Sequence, residues 1–229
     1  MGVERDPVRP EYLYVECDGM VYLVEREGRL AFPTADEVPF PVARKVEIGF
    51  EDATVHYCIP EVDDYPVHWT HKDLVPALTN VDPLVQRAIN ASLVREVTGA
   101  LVLREGPTGR EVLLVKASRG FTKGLWNMPG GFVNYGETLE AGVVREVKEE
   151  VGIDIRLVRS LGVYTKRFTS PYFMRCHVFE AVALSEDLDL DPTEIAEARW
   201  WPLHMAAEVT RNPFALGGIE VLVGKRSVL

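Results

Sequence analysis

Glu146, Glu149 and Glu150 stand at i, i+3 and i+4, a spacing that sends three carboxylates out from one side of a helix. Like charges at that spacing repel and weaken an isolated helix. A hard divalent cation with oxygen ligands is the natural offset. The plainer reading is a solvated acidic helix face. It leaves unexplained Gly131 and Gly152 at the two ends, Arg145 in the middle and the run ahead of the helix. The helix itself is legible. From Thr138 to Val151 an apolar stripe recurs every fourth residue at Leu139, Val143, Val147 and Val151, and Gly152 follows as the expected C-terminal cap.

Gly131, Glu137, Arg145, Glu146, Val147, Glu149, Glu150, Gly152 and Ile153 fill every fixed position of G-x5-E-x7-R-E-U-x-E-E-x-G-U, where U is aliphatic. The run Gly124-Leu125-Trp126-Asn127-Met128-Pro129-Gly130-Gly131 leads into it. This stretch resembles the Nudix box, and the resemblance extends over roughly residues 95 to 225. It implies a Nudix-type α/β/α sandwich with a mixed sheet. It also implies water attack on a pyrophosphate linkage assisted by Mg²⁺ or Mn²⁺. By position, Glu149 and Glu150 become metal ligands, and Glu146 a third ligand or the group that activates water. The Gly130 carbonyl faces the metal. Arg145 and Glu137 orient the acids, although Arg145 also suits a purely structural tie and Glu137 a helix-start residue. A general base outside the box falls on Glu194 or Glu197, which otherwise read as an exposed acidic loop. Arg119, Lys123, Trp126 and Arg167 are candidates for substrate binding. The bland alternatives are surface charge for the cations and core packing for Trp126.

The elements that must hold these residues follow from local pattern. Glu11 to Cys17, Val42 to Ile48 and Ala53 to Cys58 read as strands. Met20 to Val24 and Leu30 to Phe32 flank a turn at Arg26-Glu27-Gly28. Asp82-Pro83 is an N-cap with proline at the first helical position, opening a helix to about Ala91. We therefore expect a small β-rich domain with a connector helix over residues 1–92 and the Nudix domain over 93–229. In the second part, Val97 to Arg104, Glu111 to Ala117 and Gly131 to Val133 read as strands before the box helix. Arg156 to Lys166, Tyr172 to Leu184 and Ala198 to Pro202 read as strands after it, and His204 to Thr210 as a helix. Element order without the resemblance supports only an α/β or α+β class.

Composition bounds the partners. A net charge of −10 and a pI near 5.1 argue against nucleic acid as the main partner. A phosphorylated small molecule stays open, because a metal bridges carboxylates to a polyanion. Cys17, Cys58 and Cys176 lie far apart and favour free thiols over a disulfide framework or a zinc site. No long apolar run suggests a membrane span, and the first residues lack a signal-type apolar stretch. A cytoplasmic protein is the expectation. A β domain with exposed edges is suited to pairing two chains in a homodimer.

Three functions stay open from sequence. One is hydrolysis of a nucleoside diphosphate joined to another group, of the ADP-ribose, ADP-sugar or dinucleotide kind. Another is hydrolysis of nucleoside triphosphates or diadenosine polyphosphates. The third is a nucleotide-sensing or protein-interaction module without turnover. NADH pyrophosphatases also carry an extra amino-terminal domain, but their SQPWPFP-type run is replaced here by Thr169-Ser170-Pro171-Tyr172-Phe173-Met174, and their cysteine quartet is absent.

Overall fold

The computed structural model describes residues 9–62, 68–107, 109–120, 122–169, 172–185 and 187–225, apart from the side chains at 45, 167–169 and 172. The chain divides into two compact units, Met1–Val94 with Thr169–Phe173, and Arg95–Phe168 with Met174–Leu229.

The first unit contains β1 (Glu11–Cys17), β2 (Met20–Tyr22), β3 (Val24–Arg26), β4 (Arg29–Ala31), β5 (Val42–Gly49), β6 (Thr54–Pro60), β7 (Thr70–His71) and α1 (Pro83–Ser92). Five strands form a sheet in the order β5-β6-β1-β2-β7, with β1 and β6 parallel. The expected single strand over Met20–Val24 is broken at Leu23, because Val24 leaves this sheet to pair with Ala31 in a separate β3–β4 hairpin. Its turn residues Glu27 and Gly28 both have positive φ, as a tight two-residue hairpin requires. One sheet face buries Tyr14, Val21 and Val55 against Val85, Ala88 and Ile89 of α1. Asp82 caps that helix by accepting from the Leu84 N–H at 2.7 Å. Glu16 is the buried charge of this unit. It accepts from the Tyr14 hydroxyl at 2.9 Å and from Lys72 Nζ at 2.5 Å, so it is paired as a buried carboxylate must be.

The second unit is an α/β/α sandwich. Its strands are β8 (Arg95–Gly106), β9 (Gly109–Ala117), β10 (Trp126–Asn127), β11 (Gly130–Phe132), β12 (Ile155–Thr169), β13 (Tyr172–Ala183) and β14 (Ile195–Pro202). They form one mixed sheet in the order β10-β9-β8-β13-β12, with β11 on β8 and β14 on β9. β8 and β13 run parallel, whereas β8–β9 and β8–β11 are antiparallel. The two-residue period of the strands separates the two cores. Leu101 and Leu103 of β8 and Val112 and Leu114 of β9 face α3 (Leu203–Val209) and α4 (Pro213–Leu222). Ala100 and Val102, with Leu113 and Val115, face α2 (Leu139–Val151) on the other side.

Helix α2 carries the acids, and its placement follows from its sequence. Val143, Val147 and Val151 are fully buried in the second core, with Leu139 packed at its edge. Thr138 caps the start by accepting from the Ala141 N–H at 3.1 Å. Gly152 ends the helix in the left-handed conformation. Helix α4 was not apparent from sequence, although Asn212-Pro213 repeats the Asp82-Pro83 signature and Asn212 caps it. No helix among the described residues is long and apolar enough to cross a membrane. The three cysteines are free, with Cys58 and Cys176 buried and Cys17 partly so.

Removing the cap should loosen α2. Thr138→Ala is expected to lower unfolding stability by about 1 kcal/mol in urea titration, and Thr138→Ser to restore most of it.

Candidate active site

Arg145 gathers the acids of the box. Its Nε and Nη2 donate to the two oxygens of Glu137 at 2.8 and 3.0 Å, a bidentate pair. Its Nη1 donates at 2.8 Å to both Glu146 Oε1 and Glu149 Oε2. Nη2 also reaches the Phe132 carbonyl at 3.1 Å, which ties the helix to β11. The Arg145 guanidinium and the Asn134 N–H hold the Glu137 carboxyl down to about 2. Glu137, in turn, pushes Arg145 well above the usual range.

Glu150 sits apart from that network and deeper. It is 8% exposed and accepts from the Gly130 N–H at 3.0 Å. Burial pushes its carboxyl up to about 8 against the pull of the Gly130 N–H, and the charges of Glu146, Glu194 and Glu149 add to the rise. Burial also raises Glu146, with Arg145 opposing. Its carboxylate faces Gly131, where an added Cβ would come within 2.6 Å of Glu146 Cδ. Gly130 is stricter. At φ +147° its Cβ would lie 2.5 Å from Gly99 Cα and nearer still to the Thr98 carbonyl. No side chain fits there, so β11 can lie flat between β8 and the acidic face of α2.

The remaining expected residues fall in several places. Arg119 forms an ion pair with Glu194, and Ser118 N–H donates to the Glu194 carbonyl at 2.7 Å. Glu194 therefore lies on the side of the sheet where its charge is felt by Glu146 and Glu150. Glu197 instead pairs with Arg199. Lys123 is exposed in the loop before β10. Trp126 packs edge-on against Trp201, 5.6 Å between ring centroids, as part of the α3–α4 core. The side chain of Arg167 lies outside the described residues.

Sequence reading missed the cleft. A cavity of about 210 Å³ lies along β11, lined among others by Thr98, Asn127, Met128, Gly130, Gly131, Phe132, Met174, Cys176, Asn212 and Phe214. Burial pushes the Cys176 thiol up to about 12, so it is a wall and not a nucleophile. The adjacency of Asn127 to the Pro-Gly-Gly run was the one available signal.

Among the described residues, no three His, Cys, Asp or Glu side chains already converge as a metal cage. The donor chemistry nevertheless fits a hard cation. Glu146 and Glu149 already share one positive charge at Arg145 Nη1, the other guanidinium nitrogens are anchored separately, and Glu150 is a buried carboxyl with a single hydrogen bond.

A NUDIX domain model matches residues 94–220, and the chain belongs to the Nudix family. It is 43% identical over 72 residues to an ADP-ribose pyrophosphatase of Methanocaldococcus jannaschii, covering 31% of this chain and 41% of that protein. It is 38% identical over 97 residues to the oxidized purine nucleoside triphosphate hydrolase of Mus musculus, covering 41% of this chain and 60% of that one. The match spans less than two thirds of either relative. Among solved structures, a MutT protein from Methanosarcina mazei Go1 superposes with a TM-score of 0.50 at 27% identity, over 58% of this chain and 94% of its own.

Glu150 makes stability depend on pH in a stated direction. Its folded carboxyl titrates near 8 and its unfolded one near 4.5, so the unfolded state loses its proton first as pH rises. Metal-free protein is therefore expected to lose stability between pH 5 and 8, at up to about 1.4 kcal/mol per pH unit. The Glu137 effect lies at lower pH, outside that window. Calorimetry in EDTA should show the falling midpoint, and Glu150→Gln should flatten it. Added Mg²⁺ should restore stability most at pH 8, where the carboxylate is free to bind.

Proposed function

We propose that residues 93–229 form a divalent-metal-dependent hydrolase acting on a pyrophosphate linkage. The substrate is a nucleoside diphosphate joined to another group, of the ADP-ribose, ADP-sugar or dinucleotide kind. The buried Glu150 carboxyl, held on the Gly130 N–H beside Glu146 and Glu149, carries this reading. A merely solvated helix face would leave Glu150 in water. The likeness to a protein named ADP-ribose pyrophosphatase supports the substrate class.

When bound, Mg²⁺ or Mn²⁺ neutralises phosphate charge and lowers the pKa of water. Glu149, Glu150 and the Gly130 carbonyl are the residues we assign to hold it. Arg145 and Glu137 keep those acids in place. Glu146 accepts the proton of the attacking water, since burial has already made it a stronger base. Oxygen adds to one phosphorus, the bridging P–O bond breaks, and the leaving phosphate takes the bonding pair. Arg119, next to Gly120 of the cleft wall, can exchange Glu194 for a substrate phosphate. The likeness to a nucleoside triphosphate hydrolase favours one second reading, attack within a triphosphate chain.

A panel of dinucleotides, nucleotide sugars, ADP-ribose and triphosphates with Mg²⁺ or Mn²⁺ decides between them. In heavy-oxygen water, mass analysis of the products also locates the attacked phosphorus. Glu149→Gln and Glu150→Gln are expected to reduce turnover to background while remaining folded. Glu146→Gln should slow it by on the order of 10²–10⁴, and Glu194→Gln by less than about tenfold. Full turnover in both Glu149→Gln and Glu150→Gln would remove the metal assignment. Nucleotide binding without any product would replace hydrolysis with sensing.

A further inference from the structure

Every N–H of the Arg145 guanidinium is given to an oxygen. Nη1 serves Glu146 and Glu149, while Nε and Nη2 serve Glu137 and the Phe132 carbonyl. A further oxygen stands on that second edge. The Asn134 amide is satisfied with its oxygen toward the guanidinium, where it accepts from Nε at 3.2 Å and from Nη2 at 3.3 Å. Turned over, it would set a donor against donors. The same nitrogens reach Glu137 at 2.8 and 3.0 Å, so the Asn134 oxygen shares N–H groups already donated.

The backbone mounts Asn134 firmly. Its N–H donates to Glu137 Oε2 at 2.9 Å, and its carbonyl accepts from the Glu137 N–H at 3.0 Å. Gly136 lets this turn close, at φ +79°. One residue earlier, the Val133 N–H donates to the Glu96 carbonyl at 3.2 Å and ties the turn to β8. An asparagine that opens a turn ordinarily bonds its own backbone two residues on. Here the amide oxygen reaches across to the helix instead. A hydrogen bond to an ionised donor is stronger than one between neutral groups.

We propose that Asn134 is a positioning residue that sets how strongly Arg145 competes with a divalent cation for the acids on Nη1. The two edges of the guanidinium share one charge. Nη1 faces two carboxylates, whereas Nε and Nη2 face one carboxylate and two neutral carbonyl oxygens. The neutral Asn134 oxygen steadies that second edge without cancelling its charge. A carboxylate at the same place would draw the charge toward the far edge and loosen the hold on Glu146 and Glu149. An apolar side chain of the same shape would leave more of the charge to those two acids and tighten the hold. Residue 134 thus bears on metal demand from behind the arginine. The inference rests on the hydrolase reading for the metal that it weighs against Arg145.

Asn134→Asp and Asn134→Leu test this, because both keep the backbone N–H and the approximate shape of the side chain. Mn²⁺ binding, followed by the paramagnetic resonance signal of the free ion, gives a readout independent of turnover. Asn134→Asp is expected to bind Mn²⁺ about three- to tenfold tighter than wild type. Asn134→Leu should bind it about two- to fivefold more weakly. In turnover, Asn134→Leu should raise the Mn²⁺ concentration for half-maximal rate by the same factor, with the KM for nucleotide moved by less than about twofold. Arg145→Lys keeps the charge and loses the directed bonds, so in that background the difference between Asn134 and its Leu variant should vanish. If Arg145→Lys proves unfolded in urea titration, the order of the three wild-type-background constants decides alone. A Mn²⁺ constant that is equal in all three proteins, or weakened alike in both variants, overturns the role of Asn134 and reduces it to a turn residue. Persistence of the difference in the Arg145→Lys background overturns the route through Arg145. If the constants separate in the expected order but no nucleotide is cleaved, the positioning role stands and the hydrolase reading fails. If nucleotides are cleaved and the constants do not separate, hydrolysis is retained and the positioning role falls.

Discussion

Arg145 resolves the electrostatic conflict on which the rest of the site depends. Three glutamates on one side of α2 repel, and one of them is buried where repulsion is least screened. A single guanidinium answers two of them through one nitrogen and is itself fixed by a bidentate bond to Glu137. Its remaining bond, to the Phe132 carbonyl, transmits that order to β11. A lysine carries the same charge but cannot make these separate directed bonds at once. Among the described residues, Glu150 has no cationic partner and accepts its hydrogen bond from the Gly130 N–H. The helix is thus neutralised on its outer side and left charge-poor at its inner end, where a further cation gains most.

That balance requires backbone to approach backbone. β11 lies between β8 and the acids, and Gly130 is the position where no Cβ can be accommodated. The opposite face of the sheet has a similar demand. In α4, a Cβ on Gly217 would come within 2.7 Å of the Tyr164 ring, and one on Gly218 within 2.9 Å of Val178 and Leu101. Helix propensity is given up there so that α4 can sit close on the sheet. Its N-cap Asn212 is thereby carried to the edge of the cleft.

These demands explain what could be read in the sequence. Box helix α2 was legible because its valine stripe, its Thr138 cap and its Gly152 stop agree with one another. Helix α4 was not, because Gly217-Gly218 reads as a breaker when the ring they accommodate lies more than fifty residues away. Glu16 gave no sign of burial, since its partner Lys72 arrives from beyond two strands. The Arg119–Glu194 pair depends on β9 meeting β14, and the cleft on four separate segments meeting around β11. Acids on one helix reveal themselves by spacing. A pocket assembled by the sheet does not.

β11 also joins the acids to the cleft. One residue, Gly130, donates to the buried carboxyl of Glu150 and lines the cleft with its other surface. Phe132, two residues on, offers its carbonyl to Arg145 and its ring to the cleft opening. A ligand that shifts this three-residue strand therefore bears on the acids through two hydrogen bonds, at 3.0 and 3.1 Å. Antiparallel pairing of all three β11 residues with β8 opposes such a shift. A group seated in the cleft would then meet acids already set by Arg145 and the Gly130 N–H.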